Sequence, residues 1–341
     1  MRKTLLVIVV VVVIAAIGGL AFILVHKTTT TPTTPTTAST TTTTLPTYPT
    51  APLTGLPDPS GLSVKRPALT VKIENTPQAL PQWGIDQADV VYEEIVNGGI
   101  TRLAAIFNAH APEKVGPVRS VRPTDTQVVW PLSGIFAYSG GAPYAVASIS
   151  TVPGLKLIDE SSAGTAMFRD PNLYAPHNLF AIASQLFARG GSPIPPPTLF
   201  SYRTSKEIAG GLAAVRFIVP FPSYYQVTWT WDTASTSWDR TLFGKADATG
   251  TGVRESPKNV IVMWVNYVNG IGTEASYANL QGSGTAAFFV DGKETMGTWS
   301  RGASKSDVVQ YKSANGKTAL MTPGQSWVEL LNVGTTLSVT R

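Results

Sequence analysis

Leu5 to Val25 is a run of 21 residues without a charge, and it limits where in this chain a folded core can form. As a helix rising about 1.5 Å per residue it reaches roughly 30 Å, the hydrocarbon thickness of a bilayer. Arg2 and Lys3 precede it, and it ends in Phe22-Ile23-Leu24-Val25-His26-Lys27, with no small-x-small cleavage site. Residues 1–27 therefore read as an uncleaved signal anchor, a single transmembrane helix with Arg2 and Lys3 in the cytoplasm. The alternative is an unusually long signal peptide. Threonine fills thirteen of the next seventeen positions, Thr28 to Thr44, with Pro32 and Pro35 among them. Such a tract has nothing to bury, so residues 28–52 read as a disordered Thr/Pro-rich linker. It is either a glycan-bearing stalk or a bare spacer. Both place the remainder outside the cytoplasm, held at the membrane.

The formal charge of +5 falls to +2 once Arg2, Lys3 and Lys27 are set aside with the anchor, too little for a nucleic-acid footprint. There is no cysteine, which excludes disulfides, thiol nucleophiles, Cys-ligated metal and a lipid-anchor cysteine on this chain. Only His110 and His177 lie beyond the anchor, too few for a zinc site unless carboxylates dominate. No metal and no other cofactor is expected.

Two segments follow the linker. Over 53–195 the pattern predicts an α/β layer. Leu69, Val71 and Ile73 alternate with Thr70, Lys72 and Glu74, a strand with one buried and one polar face. Asp89 to Glu94 and Ile100 to Asn108 are strands joined by the Asn97-Gly98-Gly99 turn. Thr124 or Asp125 caps a helix through Val128, Val129 and Trp130, and Pro143 to Ile149 is a second helix. Gly134 to Ser139 and Leu155 to Ile158 are short strands. Asn178 is placed to cap a third helix over Leu179 to Arg189. Pro193 to Pro197 marks a seam. Over 196–341 the chain reads as β-rich (α+β), with alternation in Tyr225 to Trp231 and a buried run from Asn259 to Val265. Asp291-Gly292 and Asn315-Gly316 mark hairpins.

Six blocks in the first segment occur in a specific order. They are Arg66-Pro67-Ala68, Pro81-Gln82-Trp83-Gly84-Ile85, Ala88-Asp89-Val90-Val91-Tyr92-Glu93, Gly98-Gly99-Ile100-Thr101-Arg102, Gly116-Pro117-Val118-Arg119-Ser120-Val121-Arg122 and Ala175-Pro176-His177-Asn178. Together they resemble the YerB-like family of bacterial lipoproteins, a two-part domain of unknown function. The resemblance covers about Leu53 to Arg189, with further likeness at Gly297-Thr298-Trp299 and Pro323-Gly324-Gln325-Ser326-Trp327. It implies display at the outer face of the membrane and supplies no activity. Two departures stand out. The apolar run replaces the lipid-anchor cysteine, and Asn97 stands where the family is expected to carry Glu.

The densest charged stretch is Val115 to Gln127. Arg119 and Arg122 either share one side of a helical turn or flank a helix start. Arginine forks suit carboxylate or phosphate. The candidate ligand-binding residues are therefore Arg102, Arg119, Arg122, Ser120, Asn178, Ser139 and Gly140. His177 and Glu93 are the acid/base candidates. Three readings stay open. The first is a binding module or regulator that recognises a wall glycan, an anionic wall polymer or a wall-synthesis protein. The second is a hydrolase of an envelope glycan or phosphodiester. The third is a scaffold whose arginines pair only with its own carboxylates, such as Glu93, Glu94 or Asp125.

Overall fold

The strand pattern of the two segments closes into one long mixed sheet. The structure is a computed structural model that describes residues 47–191, 193–222 and 224–341. The expected transmembrane helix and most of the linker lie outside the described residues. Among the described residues no helix is long and apolar enough to cross a membrane. The last linker residues join the fold: Ala51 is buried and its N–H donates to Leu56 O.

Ten strands form the spine of the sheet. Their spatial order is Gln310–Ser313, Lys293–Arg301, Gly282–Val290, Asn259–Val268, Ser326–Asn332, Val90–Ile95, Thr101–Phe107, Leu69–Glu74, Ile135–Tyr138 and Lys156–Asp159. Ser326–Asn332 runs parallel to both neighbours, Asn259–Val268 and Val90–Ile95, so one late strand stitches the two segments together. A second, five-stranded sheet includes Arg216–Pro220, Gln226–Asp232 and Ser237–Leu242. It packs on the first through aromatic rings. Phe217 stacks on Phe289 at 3.5 Å between centroids, and Trp229 meets Trp327 edge-on at 5.4 Å. Rings at these spacings combine large buried area with favourable geometry.

Several local expectations match the observed elements. Pro143–Ile149 is a helix, Asn259–Val268 is a strand, and Asp291 (φ 49°) and Gly292 (φ 67°) form the left-handed pair of a primed hairpin turn. The α/β reading of the first segment needs correction: it is β-rich. Helix Pro143–Ile149 connects the parallel strands Ile135–Tyr138 and Lys156–Asp159, but Val90–Ile95, Thr101–Phe107 and Leu69–Glu74 pair antiparallel. Leu179–Ala181 is a strand, not the first turn of a helix, and the helix is only Ala183–Ala188. The cause is tertiary. Val118 N–H donates to Leu179 O (2.7 Å), and Val115 and Ala181 exchange both backbone hydrogen bonds, so the cis Gly116-Pro117 segment claims this backbone for pairing.

Candidate functional site

The face of Leu69–Glu74 expected to meet solvent is buried. All six residues of this strand are inaccessible. Lys72 and Glu74 lie on its polar side, and the register sets Arg102 directly opposite both Glu74 and Glu94 on the flanking strands. Three strands thus carry a row of alternating charge. It survives burial because its partners are built in.

A gap in the sheet brings the other arginines to this row. Leu69–Val71 pairs parallel with Ile135–Ala137, and then the two strands diverge. The Pro117–Val121 segment fills the opening. On one side Glu74 N–H donates to Pro117 O and Arg119 N–H donates to Lys72 O, each at 2.9 Å. On the other, Ser139 N–H donates to Arg119 O and Val121 N–H donates to Gly140 O, each at 3.0 Å. The site therefore lies at the carboxyl ends of parallel strands, where sheet topology leaves a crevice.

Lys72 Nζ, fully buried, pairs with Glu94 and donates to Asp125 Oδ1 at 2.8 Å. Asp125 Oδ2 accepts from Arg122 N–H at 2.6 Å and so fixes the start of the Pro123–Val129 helix. Burial raises the Asp125 carboxyl to about 6, helped by Glu94 and opposed by Lys72. Arg102 is 5% exposed and donates through Nη1 to Ser120 O at 3.0 Å, while its Nε has no partner. Burial and the like charges of Arg122 and Arg119 pull its pKa down to about 9, against the opposing pull of Glu74 and Glu94. The guanidinium stays charged at neutral pH, in surroundings that disfavour the charge.

Arg119 is the most open of the three, with its side chain 21% exposed. Its Nε lies 3.3 Å from Glu74 Oε2 without hydrogen-bond alignment, and its Nη atoms have no partner among the described residues. His177 Nδ1 donates to the same Glu74 oxygen at 2.8 Å, and its ring is 25% exposed. Arg122 spends its fork internally, Nε and Nη2 on Asn97 Oδ1 (3.2 and 2.9 Å) and Nη1 on Val121 O. The cluster holds four cations (Lys72, Arg102, Arg119, Arg122) against three carboxylates (Glu74, Glu94, Asp125). One positive charge is left over before His177 is counted.

The sequence pointed to the arginines and His177, and to Glu94 and Asp125 as carboxylates they could pair with, but not to Lys72 and Glu74 as the centre of their common frame. Period-two alternation from Lys72 to Glu74 was the available signal. Glu93 is not part of the cluster. Adjacent strand residues point to opposite faces, and Glu93 pairs with Arg240 Nη2 (2.7 Å), fully buried on the other side. The carboxylate that meets His177 is Glu74, so the His177–Glu93 acid/base pair is not assembled. Asn178 caps no helix. It accepts from Arg169 Nη1 at 2.8 Å and donates to Asp170 O and Leu173 O, bracing the loop that carries His177. Ser139, a ligand-binding candidate, donates its N–H to Arg119 O, and Gly140 spends its carbonyl on Val121 N–H. Ser120 contributes its carbonyl to Arg102. Among the described residues no group of three or more acidic or histidine side chains could hold a metal ion.

Comparison with known proteins adds a family and a fold. The family model described as the N-terminal domain of a protein of unknown function, DUF3048, matches residues 53–191, and its C-terminal counterpart matches 217–328. The chain is 35% identical over 128 residues to YerB of Bacillus subtilis (strain 168), which its name places provisionally among the lipoproteins. That match spans 38% of this chain and 38% of the relative. The crystal structure of the YerB protein from Bacillus subtilis superposes with a TM-score of 0.74 at 22% identity, over 85% of this chain and 99% of that one.

Proposed function

The chain belongs to the YerB-like DUF3048 family, and from that premise we propose that it is a membrane-tethered, extracytoplasmic binding protein of the cell envelope whose arginine cluster takes an anionic group. The lipoprotein name of YerB supports the address, although the tether here would be the Leu5–Val25 run, because the chain has no cysteine. The observation that carries the ligand class is the uncompensated charge around Arg102, next to an Arg119 fork with no hydrogen-bond partner among the described residues. An incoming carboxylate or phosphate would complete that fork and relieve the repulsion among the three guanidiniums. Charged hydrogen bonds are worth about 1.5–3 kcal/mol each, so two of them support binding from about millimolar to tens of micromolar.

The test is retention of fractionated envelope material by the full chain, with release of soluble product followed in parallel. The acidic fraction should be retained by the wild type and eluted by salt. Arg119→Ala should lose most of that retention at an unchanged melting temperature. Equal retention by the variant, or a large loss of stability, would support the scaffold reading instead. One observation favours hydrolysis as a second reading. Glu74 holds His177 through Nδ1 and leaves Nε2 for chemistry, the arrangement of an oriented general base. Product release that disappears in His177→Ala would favour it over binding alone.

A further inference from the structure

The strand Asn259–Val268 changes partner along its length. It pairs with Gly282–Val290 from Asn259 to Met263 and with Tyr277–Asn279 from Asn266 to Val268. Between these stretches the sheet splits, and a groove of about 390 Å³ opens there. That volume lies within the range of small-molecule sites, roughly 300–1,000 Å³. Gly284 deepens it. A side chain at this position would overlap Trp299 Nε1 and Trp264 O, so the floor must stay bare.

The lining is chemically one-sided. No charged residue borders the groove. Trp264 and Trp299 form its walls with their indole N–H groups already spent, Trp299 on Trp264 O (2.9 Å) and Trp264 on Thr335 O (2.6 Å). Both rings are thereby fixed; Trp299 is buried, and the half-buried Trp264 offers carbon surface only. Asn266, Ser283 and Thr285 present donors and acceptors with no partner among the described residues. Asn279 keeps its Nδ2 free after its Oδ1 accepts from Gln281 N–H.

We propose that this groove is a binding site for a neutral saccharide. An anion would call for donors and positive charge, and a cation for acceptors alone. Mixed amides and hydroxyls beside a half-buried indole suit a ligand whose hydroxyls both donate and accept and whose C–H face is apolar. A peptide strand is the competing occupant. It is disfavoured because Trp264 O, which an added strand would need, is capped by the Trp299 indole. The site is distinct from the arginine cluster and does not depend on it.

The experiment titrates the full chain, held in a detergent without a sugar headgroup, with maltotriose, cellotriose, tri-N-acetylchitotriose and a neutral tetra-alanine peptide. Saturation-transfer NMR and calorimetry provide the readout. At least one trisaccharide should bind at millimolar concentration or below. Asn266→Ala should weaken it about tenfold, the size of one or two neutral hydrogen bonds, and Trp264→Ala by a similar factor through lost apolar contact. Asn266 is exposed, so its variant decides the matter if Trp264→Ala fails to fold. Absence of binding by all three trisaccharides, affinity unchanged in Asn266→Ala, or binding of the peptide in their place would overturn the proposal.

Discussion

Arg240→Ala is expected to destabilise the folded protein by about 3–5 kcal/mol, the cost of removing one partner from a buried ion cluster. Arg240 is fully buried in the Ser237–Leu242 strand. It donates to Glu93 Oε2 at 2.7 Å and pairs with Asp247, and its guanidinium lies 4.8 Å from the Trp327 ring centroid. Burial works against its charge, but Glu93, Asp247 and Glu329 outweigh that and hold its pKa above the ordinary value. Burial and Glu93 raise the Glu329 carboxyl well above the usual range. Truncating Arg240 leaves Glu93 and Asp247 in the interior without a cation. Because Glu93 belongs to the 53–191 match and Arg240 to the 217–328 match, the loss falls on the join between them. Urea denaturation of the variant measures the effect. Arg240→Met combined with Glu93→Gln and Asp247→Asn should recover much of the stability, since that variant removes the stranded charges together. A loss below about 1 kcal/mol in Arg240→Ala would mean that the cluster is solvated and that this view of the core is wrong.

Lys72→Met should produce a loss of similar size, again about 3–5 kcal/mol, from the opposite face of the sheet. Lys72 is fully buried and serves Glu94 and Asp125 at once. Methionine fills much of the same volume but leaves both carboxylates unpaired, and Glu94 already has one buried oxygen without a partner. The variant separates two roles. If Lys72 only balances charge, acidification should restore stability as Asp125, already raised to about 6, takes up a proton. The sign follows from the raised pKa. Protonated Asp125 is favoured in the folded state, a contribution present in acid and lost as pH rises through about 6. If Lys72 also positions the Pro123–Val129 helix, Arg122 and Arg119 should shift with it, and anion binding should stay weak after stability returns at low pH.

Elements defined by neighbouring residues were legible in the sequence: the Asp291-Gly292 turn, the Pro143–Ile149 helix and the Asn259 strand. The site was legible as a list of residues but not as a geometry. Its frame depends on register, which one residue of slip reverses. Glu93 was an attractive candidate because it ends an apolar strand, yet the pleat turns it toward Arg240, while Glu94 faces Lys72 and lies opposite Arg102. Lys72 and Glu74 read as a solvent-facing row because period-two patterning cannot tell water from a buried partner. The parallel insertion of Ser326–Asn332 beside Val90–Ile95 joins residues more than 200 apart and leaves no local signature. The same holds for Leu179–Ala181, where pairing with the Val115–Val118 segment overrides a helical pattern.

Asn97 sharpens the question of what the cluster is for. It accepts from two nitrogens of Arg122 through a neutral oxygen, at the position where the family resemblance places Glu. A carboxylate there would cancel the leftover positive charge, so Asn97→Glu should weaken anion binding while preserving or improving stability. The most direct measurement is a calorimetric titration of the full chain with inorganic pyrophosphate at low salt, run on the wild type, Asn97→Glu and Arg119→Ala. The expected result is measurable binding by the wild type, a clear loss in Asn97→Glu, and a loss of roughly tenfold or more in Arg119→Ala, the value of one charged hydrogen bond. Absence of binding by the wild type, or equal binding by all three, would contradict it and leave the arginines as braces for their own carboxylates.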